Sequence, residues 1–163
     1  MSRISLLEKP MKTPRHAIWT FFYGTIMDPA VMKDFAVTVT DAVPAKLQGF
    51  DLVVRPRPNL VRSDRAVVFG ALMAVTHDDL TTIYSSLEKD FGIKYIPQAV
   101  LADTRDGFVL PALCYVAPQL PDSAPEPAFV RQLARSVRSM GHPEWYAAHV
   151  ESFGVPSAEG KGR

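Results

Sequence analysis

The chain carries a single cysteine, Cys114, in 163 residues. One thiol excludes an internal disulfide and any metal site assembled from several thiolates. Cys114 sits in the apolar run Leu113–Val116, so it is expected to be a small buried hydrophobe rather than a reactive thiol. An excess of one charge sign is also missing, since 18 Lys plus Arg face 17 Asp plus Glu for a net charge of +1. Dedicated nucleic-acid binders show a strong basic excess, and no nucleic-acid partner is expected here. No apolar run approaches the roughly 18–20 residues of a membrane span. The stretch Met1–His16 is interrupted by Glu8, Lys9, Pro10 and Pro14 and lacks the continuous apolar centre of a secretory signal. These absences predict a soluble, cytoplasmic protein without a membrane partner.

What remains is an ordinary globular balance, 47% hydrophobic and 21% charged, at a length that suits one domain with a real core. The polar or Pro-broken ends predict a flexible segment over 1–16 and a flexible tail over 157–163, around a single domain over 17–156. There is no internal repeat and no low-complexity tract between them.

Ala17–Tyr23 is rich in aromatic and β-branched residues and reads as a buried strand that stops at Gly24. Asp28 and Pro29 supply an N-cap and a first-turn proline, and Val31, Met32 and Phe35 share one face of the short helix that follows. Leu47–Val54 reads as a second strand. The two prolines in Arg55–Asn59 forbid central-strand pairing there. Ala66–Val75 is a long apolar run expected to be a central strand, with Gly70 marking a bulge or a close backbone approach. Thr76 and Asp79 form a capping arrangement ahead of a helix whose apolar side is Leu80, Ile83, Tyr84 and Leu87 and which ends before Gly92. Tyr95–Asp103 and Phe108–Ala117 flank Asp106-Gly107, a hairpin signal of the type I′ kind. Helices over Pro127–Met140 and Pro143–Phe153, the latter with Pro143 at its first position, complete the chain. Strands outnumber helices, so the predicted class is α+β: a mixed, mainly antiparallel, curled or barrel-like sheet with peripheral helices.

Two features draw attention as chemistry. A glycine directly after a strand and ahead of a helix leaves backbone N–H groups free, so the loop Tyr23, Gly24, Thr25, Ile26, Met27 can grip a carboxylate or an oxyanion. By spacing alone a routine strand-helix turn is the better fit, and Asp28 brings a negative group of its own to the helix start. Glu88 closes an amphipathic helix beside Phe91 and Tyr95, and a carboxylate in partly apolar surroundings suits acid–base work near neutral pH. Its bland alternative is a solvated glutamate paired with Lys89 or Lys94.

Other residues point to less. His16, His77, His142 and His149 are scattered, and the seven-residue separation of the last two does not match ligand spacing, so no metal site is expected. No Ser, His and Asp set falls in a recognisable nucleophile motif. Arg55, Arg57, Arg62 and Arg65 form the one basic cluster, which reads as a solvated loop, as a clamp for substrate carboxylates, or, third, as a nucleic-acid contact.

Together these residues resemble a family. Tyr-Gly-Thr-Ile-Met-Asp-Pro at 23–29 is similar to the Tyr-Gly-Ser/Thr-Leu/Asn signature of γ-glutamylcyclotransferase-like proteins, a superfamily that includes the plant avirulence-induced-type proteins. The resemblance continues in order through Leu47-Gln48-Gly49-Phe50, Pro58-Asn59-Leu60, Val68-Phe69-Gly70-Ala71-Leu72, the helix Asp79 to Glu88 with Tyr95 downstream, and Pro143-Glu144-Trp145-Tyr146. It departs in the helix, where the family carries Leu-Asp-x-x-Glu-Gly and this chain reads Ile83-Tyr84-Ser85-Ser86-Leu87-Glu88-Lys89. Aligning Glu88 with the family's acid takes a one-residue insertion, and Asp90 is the second choice.

The resemblance implies cyclisation of a small γ-glutamyl amine, amino acid or peptide. The substrate's α-amine attacks its own γ-carbonyl, releasing an amine and 5-oxoproline. In that reading Glu88 moves the protons, the Tyr23–Met27 amides hold the glutamyl end, Tyr95 and Tyr146 complete the pocket, and no cofactor or metal is needed. The alternative is a non-catalytic relative that binds a small ligand or a protein on the same fold. Whether Glu88 enters the same cavity as the Tyr23–Met27 amides separates the two.

Overall fold

The computed structural model describes residues 16–155 except Thr38 and Thr40. Of the segments predicted as flexible, 1–16 and 157–163, all but His16 lie outside the described residues. Eleven short stretches of regular structure follow in the order β1 Ile18–Phe22, a 3-10 turn Thr25–Met27, α1 Pro29–Met32, a second 3-10 turn Lys33–Phe35, β2 Val43–Val54, β3 Pro58–Val75, α2 His77–Phe91, β4 Ile96–Thr104, β5 Val109–Val116, α3 Pro127–Ser139 and α4 Glu144–Ser152.

The five strands close into a barrel in the order β1-β3-β2-β4-β5. All neighbours are antiparallel except β1 and β5, which close the ring in parallel through Thr20↔Leu113 and Phe21↔Cys114. Closure removes the exposed edges that an open sheet would leave. The interior is filled by inward-facing residues such as Phe21, Leu47, Val68, Leu72, Ala102 and Cys114, and helices α2, α3 and α4 seal its sides with Leu80, Ile83, Leu133, Val137 and Val150. Burial pushes the Cys114 thiol up to about 12, so it stays protonated among its apolar neighbours.

Several expectations change in detail. The second and third strands are longer than their apolar runs and form one hairpin, with Pro58 at the first position of β3 opposite Val54. A proline is tolerated there because its missing N–H falls at the end of the ladder. The bulge falls between Gln48 and Phe50, where Gly49 adopts φ +86°, and not at Gly70. Gly70 is instead the close approach: a Cβ on it would stand 2.2 Å from the Phe22 carbonyl oxygen. At the β4–β5 turn only Gly107 has positive φ, at +88°, and the Thr104 N–H donates to the Phe108 carbonyl. The loop is therefore a longer turn ending in a left-handed glycine, since a two-residue I′ turn would need Asp106 at positive φ as well. Pro143 is the N-cap of α4 rather than its first residue. The expected cap of α2 forms in full, with Thr76 and Asp79 exchanging side-chain to backbone hydrogen bonds of 3.1 Å each way, and Gly92 at φ +67° ends that helix.

Candidate ligand-binding site

Where β1 runs out at Phe22, the chain turns through Tyr23 and Gly24 into the 3-10 turn, which closes with the Met27 N–H donating to Gly24 O and the Asp28 N–H donating to Thr25 O. The Gly24, Thr25 and Ile26 N–H groups have no acceptor among the described residues. The loop is held from outside. Asp28 accepts from the Ala30 N–H at 3.0 Å, Ser136 Oγ donates to Thr25 O at 3.2 Å, and Ser139 Oγ donates to Asp28 at 3.2 Å. The carboxylate that stood against an anionic ligand is thus occupied at the start of α1.

Beneath this loop opens a cavity of about 300 Å³, walled by Tyr23, Gly24, Thr25 and Ile26, by Arg57 and Pro58 of the β2–β3 turn, by Tyr84, Leu87 and Phe91 of α2, by Tyr95, and by Phe129 and Gln132 of α3. Its base is a tyrosine cluster. Tyr84 stacks on Tyr115 with ring centroids 4.1 Å apart and leans on Tyr95 at 5.6 Å. The Tyr23 hydroxyl donates to Tyr115 O at 2.6 Å and the Tyr95 hydroxyl to Pro58 O at 2.7 Å. Burial raises the pKa of Tyr23, Tyr84 and Tyr95, with Arg57 partly offsetting the effect at Tyr95. These hydroxyls remain neutral and do not serve as bases near pH 7.

The carboxylate expected to join the loop is elsewhere. Helix α2 runs from His77 to Phe91 without interruption. Successive residues of a helix differ by about 100°, and it is Leu87 that lines the cavity. Glu88 borders a separate depression with Thr81, Ser85, Lys94 and Tyr115. Tyr84 and Tyr95 form the wall common to both hollows. Asp90 is exposed and borders neither of them. The one carboxylate among the cavity's lining residues is Asp34, exposed at the rim on the second 3-10 turn.

The remaining expected residues divide in the same way. Tyr95 lines the cavity, whereas Met27 is fully buried in the core. Tyr146 is buried on the far side against Phe69 and Trp145, away from the cavity. The basic cluster also splits. Arg57 reaches the cavity, Arg62 lies over the Phe50 ring, and Arg55 and Arg65 are exposed. Sequence reasoning missed Asp34, Tyr84, Phe129 and Gln132, which come from three distant segments with no shared motif. Among the described residues no three His, Cys, Asp or Glu converge on a point that could hold a metal ion, and no helix is long and apolar enough to cross a membrane.

The site is thus a Gly loop above a tyrosine-floored hollow on a closed mixed barrel. The chain belongs to the gamma-glutamyl cyclotransferase, AIG2-like family, whose sequence model matches residues 20–133. Among solved structures it is similar to one described as a gamma-glutamyl cyclotransferase, with a TM-score of 0.69 at 15% identity, over 90% of this chain and 92% of that one. An uncharacterized human protein gives a TM-score of 0.69 at 16% identity, over 88% and 91% of the two chains. An Arabidopsis thaliana protein solved in solution gives 0.56 at 24% identity, over 88% and 81%. No curated protein matches the chain.

Proposed function

We propose that this protein binds a small γ-glutamyl or other carboxylate-bearing molecule in the cavity beneath the Gly24 loop, and that it does not cyclise that molecule through Glu88. The observation that carries the reading is on α2: Leu87 faces the cavity and Glu88 faces the neighbouring depression. Cyclisation needs a group to take the α-ammonium proton and return it to the leaving nitrogen, within hydrogen-bond reach of both. Leucine offers neither, and the surrounding tyrosines hold their protons. The three free amides of Gly24–Ile26 still supply what binding needs, a row of donors for a carboxylate or carbonyl.

One observation favours a second reading, in which the protein is a cyclotransferase. Glu88 is one tyrosine-thick wall from the cavity, since Tyr84 and Tyr95 border both hollows. Movement of these rings on ligand binding would bring its carboxylate to the substrate.

A 5-oxoproline release assay over γ-glutamyl amines, amino acids and peptides decides between them, with binding followed in parallel by NMR shift mapping. The expected result is binding at the Gly24 loop and no release, with Glu88→Gln binding as the native chain does. Release that falls about 100-fold or more in Glu88→Gln, the usual scale for an acid–base residue, would establish the second reading. Release that survives Glu88→Gln but is lost in Asp34→Asn would make the protein a cyclotransferase that works through Asp34 and would overturn the non-catalytic reading. Leu87→Glu, which puts a carboxylate on the cavity-facing position, is expected to confer release on the native scaffold.

A further inference from the structure

Among the described residues Arg57 is the one cation that lines the cavity, and its setting is unusual for a surface arginine. It leaves the β2–β3 turn with its guanidinium carbon 3.8 Å from the centre of the Phe91 ring and 4.1 Å from that of Phe129. One ring closes α2 and the other opens α3, so the cation bridges the two helices across the cavity mouth. The two rings hold the guanidinium by cation–π contact and take part of its water, while no acceptor is seated at its N–H groups. Among the described residues no carboxylate forms an ion pair with it and no acceptor takes its N–H groups. Burial lowers its pKa, an effect that Tyr95 and then Glu126 partly offset, yet it remains charged. Asp34 shares the lining but is exposed, where water screens its field. Pro58, the next residue, touches the Gly24 loop: a Cβ on Gly24 would lie 3.5 Å from its ring. The β2–β3 turn that carries Arg57 and the Gly24 loop therefore meet at one end of the hollow.

We infer that Arg57 anchors a carboxylate at this end and that the rest of the ligand is an aromatic or branched apolar body. Phe22, Val31, Phe35, Tyr84 and Leu87 offer that body no charged partner. A half-buried, ring-held and unpaired guanidinium is prepared for bidentate recognition, and a charge-assisted hydrogen bond in a partly apolar cavity discriminates against a neutral isostere.

This inference rests on the proposed ligand-binding role of the cavity. Its test uses 4-phenylbutanoate and the neutral 4-phenylbutanamide as probes, titrated by calorimetry at low ionic strength with NMR mapping of the bound site. The native chain is expected to bind the carboxylate about tenfold or more tightly than the amide, with shifts at the Gly24 loop and Phe129. Arg57→Met keeps an apolar stem between the rings and is expected to erase that preference, the carboxylate then binding no more tightly than the amide. Arg57→Lys is expected to restore little of it, because an ammonium cannot present a planar fork. Urea midpoints of both variants control for folding. Equal binding of the two probes by the native chain, an unchanged preference in Arg57→Met, or no shift at the cavity with either probe would each overturn the assignment. In the first two outcomes the cavity remains a binding site and only the role of Arg57 falls. The γ-glutamyl panel tests that wider reading separately.

Discussion

Asn59 offers the sharpest test of how the barrel holds its site. The side chain is 5% exposed and clamps the backbone of Ala117, donating from Nδ2 to its carbonyl at 2.8 Å and accepting its N–H at Oδ1 at 2.9 Å. The clamp ties the first turn of β3 to the chain just beyond β5, and it stands directly after Arg57 and Pro58. In Asn59→Ala two hydrogen bonds, each worth about 1 kcal/mol net, disappear, and a buried donor and acceptor lose their partners. Water entering the gap recovers part of that second loss, so the expected destabilisation is about 3 kcal/mol. With a urea slope of about 2 kcal/mol/M, the midpoint should fall by about 1.5 M. Asn59→Asp tests the geometry further. It can accept the Ala117 N–H, but only a protonated acid can donate to the carbonyl. Its folded-state pKa would be raised above the unfolded value of about 3.9, so its relative stability should be highest below that value and fall as pH rises towards the folded pKa. Equilibrium urea unfolding of all three proteins at pH 4 and pH 7 measures both effects. A midpoint shift under about 0.3 M for Asn59→Ala, or an Asn59→Asp deficit that shrinks from pH 4 to pH 7, would refute the reasoning.

Two further outcomes follow from single positions. Gly70→Ala would drive a Cβ to 2.2 Å from the Phe22 carbonyl oxygen and 2.8 Å from Phe21 Cζ. Since β1 and β3 cannot separate without opening the barrel, a loss of more than about 3 kcal/mol is expected by urea unfolding, and a loss under 1 kcal/mol would contradict the packing. His142 is buried and shares a 2.9 Å hydrogen bond with the Gly70 carbonyl. Burial pulls its pKa down to about 4, with Arg105 adding to the effect and the Gly70 bond opposing it. Its folded pKa thus lies below the unfolded value of about 6.5, so the unfolded state takes the proton first, and stability should fall as pH drops through the window from about 6.5 to about 4. Over that window the native protein should lose about 2–3 kcal/mol relative to His142→Gln. Parallel pH slopes for the two proteins would show that this histidine does not contribute.

Much of the architecture was legible locally. The α2 cap, its stop at Gly92 and the strand before Gly24 depend on residues a few positions apart, and each formed as expected. The ends of β2 and β3 were not legible. A segment such as Pro58–Arg62 joins a strand only because Phe50–Val54 opposite supplies its ladder partners. The cavity divides along the same line. The Gly24 loop was visible as a motif, whereas Asp34, Phe129 and Gln132 carried no local signal.

By itself the sequence determined the class of fold, which follows from short-range pattern and turn chemistry, and, through the ordered resemblance of its motifs, the family. Only the tertiary structure decided what the loop faces. A helix turns about 100° per residue, so whether Leu87 or Glu88 meets the cavity depends on how α2 is rotated against the barrel. Leu80 and Ile83, packed into the core, hold that rotation. The same packing selected Arg57 from four similar arginines by bringing Phe91 and Phe129, from two distant helices, against its two faces.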